Sequence, residues 1–356
     1  MPDLLGLTPR AAREALARWL AESGEPPYRA KQILPRLWQR PIGSWDEATE
    51  LPVALRRALG AAFPLRRLAI TTRQISRDGT EKYLWDLGDG EAIESVLIPG
   101  GGRRRTMCVS SQVGCALGCV FCATGRMGFR RNLAAAEIAG QVRELILLDA
   151  TLKPTNVVFM GMGEPLLNWE AVDTALTILN QPDGLGIGAR HITVSTVGIL
   201  PSLAKLAGRS EQFRLALSLH APTTELRREL MPIERKYTLP EVIDALGRFR
   251  RRVTLEYVVI GGKNDGLEQA DQLAQLARPL GALVNLLPLH PGGAPDLAVS
   301  ARPQMLAFAR RLRSRGVEAV VRRSRGLDIS AACGQLRVEL EARRRKVGAQ
   351  EHARVE

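Results

Sequence analysis

From about residue 104 onward the chain alternates between two periods. Short β-rich runs at 106–110, 156–160, 191–195, 213–219, 253–260, 283–289 and 317–321 are strand candidates. Between them lie amphipathic stretches at 134–148, 169–179, 239–250, 267–277 and 302–313. Strands alternating with helices build a parallel sheet. Six or seven such units fall short of a closed eight-fold barrel. The expected architecture is therefore α/β, an open, partial (β/α)6 barrel with a lateral mouth wide enough for a macromolecule. Active sites of βα barrels sit at the C-terminal ends of the strands, so chemistry is to be sought there.

Two smaller pieces precede the barrel. Residues 1–62 read as a helical accessory domain. Thr8-Pro9 is a helix start, with Leu16, Trp19 and Leu20 at helical spacing behind it. Pro26-Pro27 breaks the chain, a second helix covers 28–39, and a third follows Ser44 through Leu51 and Leu55 to Leu59. Its tryptophans read as core. Residues 63–103 switch to a period of two, with Asp78-Gly79 and Asp89-Gly90 at turns. They form a small β meander that brings Glu94 to the barrel. The barrel itself is assigned to 104–340 and a charged tail to 341–356.

The chemistry concentrates in one loop. Cys115, Cys119 and Cys122 form a C-x3-C-x2-C run, with Cys108 just ahead and Cys333 far away in AACGQL. Three thiolates so close together can wrap one metal centre. Structural zinc and a 4Fe-4S cubane both take four ligands, and no further Cys or His pair follows at a typical zinc spacing. With three cysteines, a cubane keeps one iron open for something that is not protein. Zinc, or a chance grouping, is the plainer alternative.

Other marked residues fall at the strand ends. Gly163 and Glu164 lie in GMGEP, where glycines let a backbone approach a ligand and the carboxylate suits an ammonium group. Ser195 ends the third strand, and Ser218, Leu219 and His220 end the fourth, where a ribose would find donors and acceptors. His290 is a similar case at the sixth. A lone histidine is by default a satisfied barrel-rim residue, and a lone cysteine such as Cys333 a small buried hydrophobe. Gly334, the loop setting and nearby Arg325 argue for an exposed, thiolate-prone Cys333. Cys108 could equally face the core, and Glu94 could be a solvated strand carboxylate.

The formal charge of +13 favours polyanionic partners. Arginine in place of lysine could reflect genome composition or heat adaptation, but that does not explain the excess of positive charge. No basic segment followed by an apolar run opens the chain, and no run of eighteen apolar residues occurs, so neither signal peptide nor membrane span is expected. The reduced thiols that a cluster needs point to the cytoplasm.

The cysteine run, with Phe121 before its last cysteine, resembles that of radical S-adenosylmethionine (SAM) enzymes. There the open iron chelates SAM, which is split into methionine and a 5′-deoxyadenosyl radical. The stretches ESVLIP, CVSSQVGCALGCVFCATG, GFRRNL, FMGMGEPLLN, TVSTVG, SLHAP, EYVVI and AACGQL, in order and with YRAKQ ahead of them, together resemble the RlmN family. The family often has asparagine where this chain has His290.

The resemblance implies methylation of adenosine C2 in 23S rRNA, at the peptidyl-transferase centre, and in tRNA, 3′ of the anticodon. It implies a 4Fe-4S cluster on Cys115, Cys119 and Cys122, and two SAM molecules per turnover. SAM contacts would come from Gly163, Glu164, Ser195, Ser218, Leu219, His220 and His290. Cys333 would carry the methyl group into a transient protein–RNA adduct, Cys108 would resolve it through a disulfide, and Glu94 would be the base. A flavodoxin or ferredoxin would supply electrons to a monomer. The rival readings are a C8 methyltransferase like Cfr, an enzyme that plants a radical on another protein, and a non-enzymatic iron-sulfur RNA-binding regulator.

Overall fold

The fold is built on a sheet that changes from antiparallel to parallel part-way across. The structure, a computed structural model, describes residues 1–249, 251–290, 294 and 296–331. Cys333 and the 341–356 tail lie outside the described residues.

The N-terminal helices are α1 (Pro9–Glu22), α2 (Arg29–Ile33) and α3 (Val53–Ala62). Thr8 caps α1 by accepting the Ala11 N–H, and Pro9 stands where a missing N–H costs nothing. The other two helices are shorter than the apolar spacing suggests. Pro35 diverts the second into a 3-10 turn at Leu34–Arg36. Ser44 caps only one 3-10 turn, Trp45–Glu47, and α3 starts afresh after Pro52. Proline removes an N–H from the helical ladder, so a spacing rule that skips over it overestimates length. Trp19, Trp38 and Trp45 are buried, in line with their reading as core.

This module joins the barrel's core through α5 (below). Arg143 of that helix is 2% exposed, donates to the carbonyls of Leu37 and Ile42 at 2.8 and 2.5 Å, and pairs with Glu144, which also receives Arg67. Two carbonyls at the end of the second helical stretch are thus satisfied from the barrel side.

Strands β1 (Ala69–Ile75), β2 (Glu81–Asp86) and β3 (Ala92–Pro99) form the expected meander. The barrel segment continues with β4 (Arg105–Cys108), β5 (Gln112–Gly114), α4 (Ala123–Arg126), β6 (Phe129–Asn132), α5 (Ala135–Leu148), β7 (Asn156–Phe159), α6 (Trp169–Asn180) and β8 (Ile192–Thr196). Then come α7 (Leu200–Ala207), β9 (Arg214–Ser218), α8 (Thr224–Leu230), α9 (Leu239–Gly247), β10 (Thr254–Val259), α10 (Leu267–Ala277), β11 (Leu283–Pro288), α11 (Arg302–Ser314) and β12 (Ala319–Val321). Among the described residues the large sheet runs β1-β2-β3-β4-β7-β8-β9-β10-β11-β12. From β4 onward every pairing is parallel. The order does not bring β12 back onto β4, as an open barrel requires.

The barrel segment also departs from the sequence reading. The short helices α7 and α8 were not anticipated, and neither was the two-stranded ribbon β5–β6. The sheet also runs straight through the expected boundary at 103/104, because β3 pairs antiparallel with β4, Val96 facing Cys108.

Candidate active site

The three cysteines hang on a loop closed by the β5–β6 ribbon. Gly114, at φ 73°, lets the ribbon close: a Cβ there would lie 1.9 Å from the Gly128 carbonyl oxygen. Cys115 N–H donates to that same carbonyl. Val120 N–H donates to Leu230 O, which ties the loop to α8, and the Phe121 ring meets His220 edge-on at 4.6 Å.

The GMGE turn after β7 is pressed against the chain leaving β4. Gly163 has φ 96°, and a Cβ on it would come within 2.5 Å of Gln112. Gln112 in turn accepts the Glu164 N–H at 2.8 Å. Buried Gln141 and Asn168 fix the β4 exit by bonding Ser110 and Ser111 main-chain groups. Glu164 is 3% exposed and accepts N–H groups from Leu166 and Val197, both at 3.0 Å. Burial outweighs these donors and pushes its carboxyl up to about 7.

Ser195 and Ser218 end neighbouring strands, their hydroxyls 3.4 Å apart. His220, at φ 58°, accepts the Val258 N–H on Nδ1, which leaves Nε2 as the protonated nitrogen of the neutral ring. Leu219 differs in kind from its neighbours. Its side chain is buried in the core, and its N–H donates to Glu256 O. Unlike Ser218 and His220 beside it, Leu219 is not among the residues that line the cavity described next. His290 Nε2 lies 2.9 Å from Ser324 Oγ.

These groups converge on one cavity of about 290 Å³. Cys115, Cys119, Cys122, Gly163, Glu164, Ser195, Ser218, His220, His290 and Cys108 all line it. Glu94 is not among the lining residues; it is buried on β3, two residues from Val96, the register partner of Cys108. Side chains at i and i+2 of a strand share a face, so Glu94 is on the face that carries Cys108. Exposed Arg322, Arg323 and Arg325 stand at the cavity's edge.

Ala331, the last described residue, also lines the cavity and packs with Val96 and Cys108. A clasp holds the segment before it. Asp78 accepts the Gly326 N–H at 3.0 Å, and Asp328 accepts Ser76 Oγ at 2.5 Å and Arg77 N–H at 3.1 Å. The turn between β1 and β2 thereby fastens the chain that leads towards Cys333.

The donor set can be tested against a metal centre. Burial pushes the Cys115 thiol up to about 12 and raises Cys119 and Cys122 as well. Three such thiols ionise only with a cationic centre beside them. Among the described residues no group of three His, Cys, Asp or Glu side chains could hold a single metal ion. A structural zinc closes with four protein ligands, whereas a cubane spreads its cysteines over separate irons and can keep one open, so a run of three cysteines suits a cluster better than zinc.

Sequence reasoning missed Glu256, and it missed the buried pair Arg227–Glu234 that props the loop after β8 by bonding Val197 O. A lone acid in the otherwise apolar β10 was the available signal.

An open parallel barrel whose strand ends surround a three-cysteine loop defines a radical SAM protein. The Radical SAM superfamily model matches residues 109–277, and the ribosomal RNA large subunit methyltransferase N-terminal domain model matches residues 3–63. A probable dual-specificity RNA methyltransferase RlmN from Gemmatimonas aurantiaca is 60% identical, covering 100% of this chain and 98% of that protein. The dual-specificity RNA methyltransferase RlmN of an Anaeromyxobacter species is 45% identical over 95% of this chain and 91% of its own. The crystal structure of a radical SAM methyltransferase from Sphaerobacter thermophilus superposes with a TM-score of 0.88 at 44% identity, covering 94% of this chain and 99% of that one. The chain belongs to the RlmN family. As a radical SAM enzyme it uses a 4Fe-4S cluster and SAM. No described helix is long and apolar enough to cross a membrane.

Proposed function

We propose that this chain methylates C2 of an adenosine in 23S rRNA and in tRNA, with Cys333 as methyl carrier. One observation carries the reading. Cys108, the three-cysteine loop and Ala331 line a single cavity, and Cys333 follows Ala331 by two residues. Two residues of chain span at most about 7 Å, so the chain length beyond Ala331 allows the Cys333 sulfur to reach that cavity.

An sp2 C2 carbon has no lone pair with which to attack a sulfonium methyl. Splitting the reaction around a protein nucleophile divides one hard step into easier ones. The Cys333 thiolate would take the methyl carbon of one SAM by displacement, with S-adenosylhomocysteine as the leaving group. Cys115, Cys119 and Cys122 would hold the cluster, which with a second SAM supplies the hydrogen-abstracting chemistry. The S-bound carbon, having lost a hydrogen atom, then bonds C2; the adduct gives up the C2 proton to Glu94 and one electron, which would return to the redox centre held by the three cysteines. The Cys108 thiolate attacks the Cys333 sulfur: an S–S bond forms, the S–C bond breaks, and the carbon stays on the RNA with the electron pair, taking up a proton to become the methyl group. A thiol reductant reopens the disulfide, and a flavodoxin or ferredoxin supplies electrons for the radical step.

Glu164 meets the SAM ammonium group, and Ser195, Ser218, the Leu219 main chain and His220 meet the ribose and its surroundings. His290 takes the adenine end. The arginines at the cavity edge and the helical module grip RNA phosphates, with the target adenine flipped from its stack. The protein works as a cytoplasmic monomer.

Nucleoside mass spectrometry of rRNA and tRNA from cells lacking the gene tests this. Restoring the gene should restore 2-methyladenosine, and Cys333→Ala should not. Recovery of 8-methyladenosine would assign the Cfr-like reaction instead. Reductant-dependent SAM cleavage that never occurs would favour a binding regulator.

A further inference from the structure

The scheme above leaves one carboxyl on the cavity wall unused. Glu256 is 4% exposed on β10. Its register partners are Ser218 on β9 and Asn285 on β11. Register partners on adjacent strands present their side chains to the same face, and Glu256, like Ser218, lines the cavity. Its carbonyl accepts N–H groups from Leu219 and His220 at 3.0 and 3.3 Å, so the same residue shapes the neighbouring rim.

The two carboxyl oxygens are treated unequally. Oε1 accepts Asn285 Nδ2 at 3.0 Å. Oε2 is buried and has no hydrogen-bond partner among the described residues. Burial raises the carboxyl's pKa, as expected for a group short of donors, and exposed Arg322 offsets this only through space. Buried polar atoms of folded proteins are almost always paired. An unused acceptor on a cavity wall is accounted for when a bound molecule donates to it.

The neighbours select the donor. Ser195 and Ser218 offer hydroxyls that donate or accept, and they are not tightly bonded to each other at 3.4 Å. A carboxyl oxygen beside a serine hydroxyl suits a vicinal diol, as an acidic residue suits the ribose hydroxyls of dinucleotides in other α/β folds. An ammonium group already has Glu164, which follows β7, three strands away from β10 in the sheet.

We propose that Glu256 is a further SAM-binding residue, accepting a hydrogen bond from a ribose hydroxyl of the cofactor while Asn285 holds its other oxygen. The inference rests on SAM occupying this cavity, and not on which RNA carbon is methylated.

The test is equilibrium binding of SAM and of its 2′-deoxy and 3′-deoxy ribose analogues to the anaerobically reconstituted protein. Wild type, Glu256→Leu and Glu256→Gln are compared, with thermal melts to check folding. Loss of one of the two hydroxyls should weaken wild-type binding about tenfold, the scale of one buried hydrogen bond. Glu256→Leu should weaken SAM by a similar factor and become indifferent to that hydroxyl. Glu256→Gln, which keeps an acceptor, should recover part of the loss. A Leu variant that binds SAM normally, or still discriminates the deoxy analogue as wild type does, would overturn the proposal. So would a wild type indifferent to both hydroxyls, even if the Leu variant fails to fold. RNA also carries ribose: weakened RNA binding with unchanged SAM binding would assign Glu256 to the target nucleotide and overturn it equally.

Discussion

His220 shows what burial does to a single side chain here. Desolvation, reinforced by the Arg227 charge, pulls its imidazole from 6.5 down to about 3. The unfolded chain therefore binds a proton at this position below pH 6.5, whereas the folded chain does not until about pH 3. The resulting contribution to stability is complete above 6.5 and is lost as the pH falls towards 3. His220→Asn, which tolerates the left-handed backbone, should flatten the acid limb of the apoprotein's stability profile in that window. Urea midpoints across the pH range measure it, and an unchanged slope would contradict the assignment. That Cys115, Cys119, Cys122, Glu164, Ser195, Ser218 and His220 gather at one cavity was legible, because the cysteines form one short run and the others lie at or just past strand ends. Glu256 was not, because its significance depends on the residues beside it in register on β9 and β11. Such neighbours are far away in sequence.

At the scale of elements, the β1–β2 turn is the piece whose role the sequence concealed. As a sequence, Asp78-Gly79 is only a hairpin signal. In the fold, Asp78 and Ser76 fasten residues 326–328 across about 250 residues of chain. Side-chain bonds of this kind leave no periodicity to read. Releasing the clasp with Asp328→Ala should raise amide hydrogen exchange at 326–331 by up to about tenfold, since fewer bonds then oppose local opening. Methyl transfer should slow while SAM affinity is kept, because the clasp touches the segment leading to Cys333 and not the Ser218–His220 rim. Unchanged exchange would show that the segment is held by Ala331 packing alone. The β5–β6 ribbon was equally hidden: three and four residues are too short for a period-two pattern, and the whole cysteine loop separates the two strands. Proline 52 explains the broken third helix.

For the whole molecule, an open barrel was legible from the alternation of periods, and its sheet order follows that reading. The continuity between meander and barrel was not, since an antiparallel partner for β4 has no signature of its own in sequence. The excess of positive charge had no location until the fold placed Arg322, Arg323 and Arg325 at the cavity's edge. If they bind phosphates, Arg323→Ala should lower RNA affinity and reduce the salt dependence of binding by about one unit of slope. SAM affinity should stay as it is. A titration over a range of salt concentrations checks both, and an unaltered slope would move the RNA elsewhere on the surface.

The central claim is that a carbon atom passes from SAM through the Cys333 sulfur to RNA. It is tested most directly by incubating the reconstituted protein with trideuteromethyl SAM and substrate RNA, then weighing the peptide that contains Cys333. The account predicts a deuterated S-methyl group on Cys333, and accumulation of a covalent protein–RNA species when Cys108 is replaced by alanine. A methylated RNA product formed while Cys333 never carries the label would contradict it.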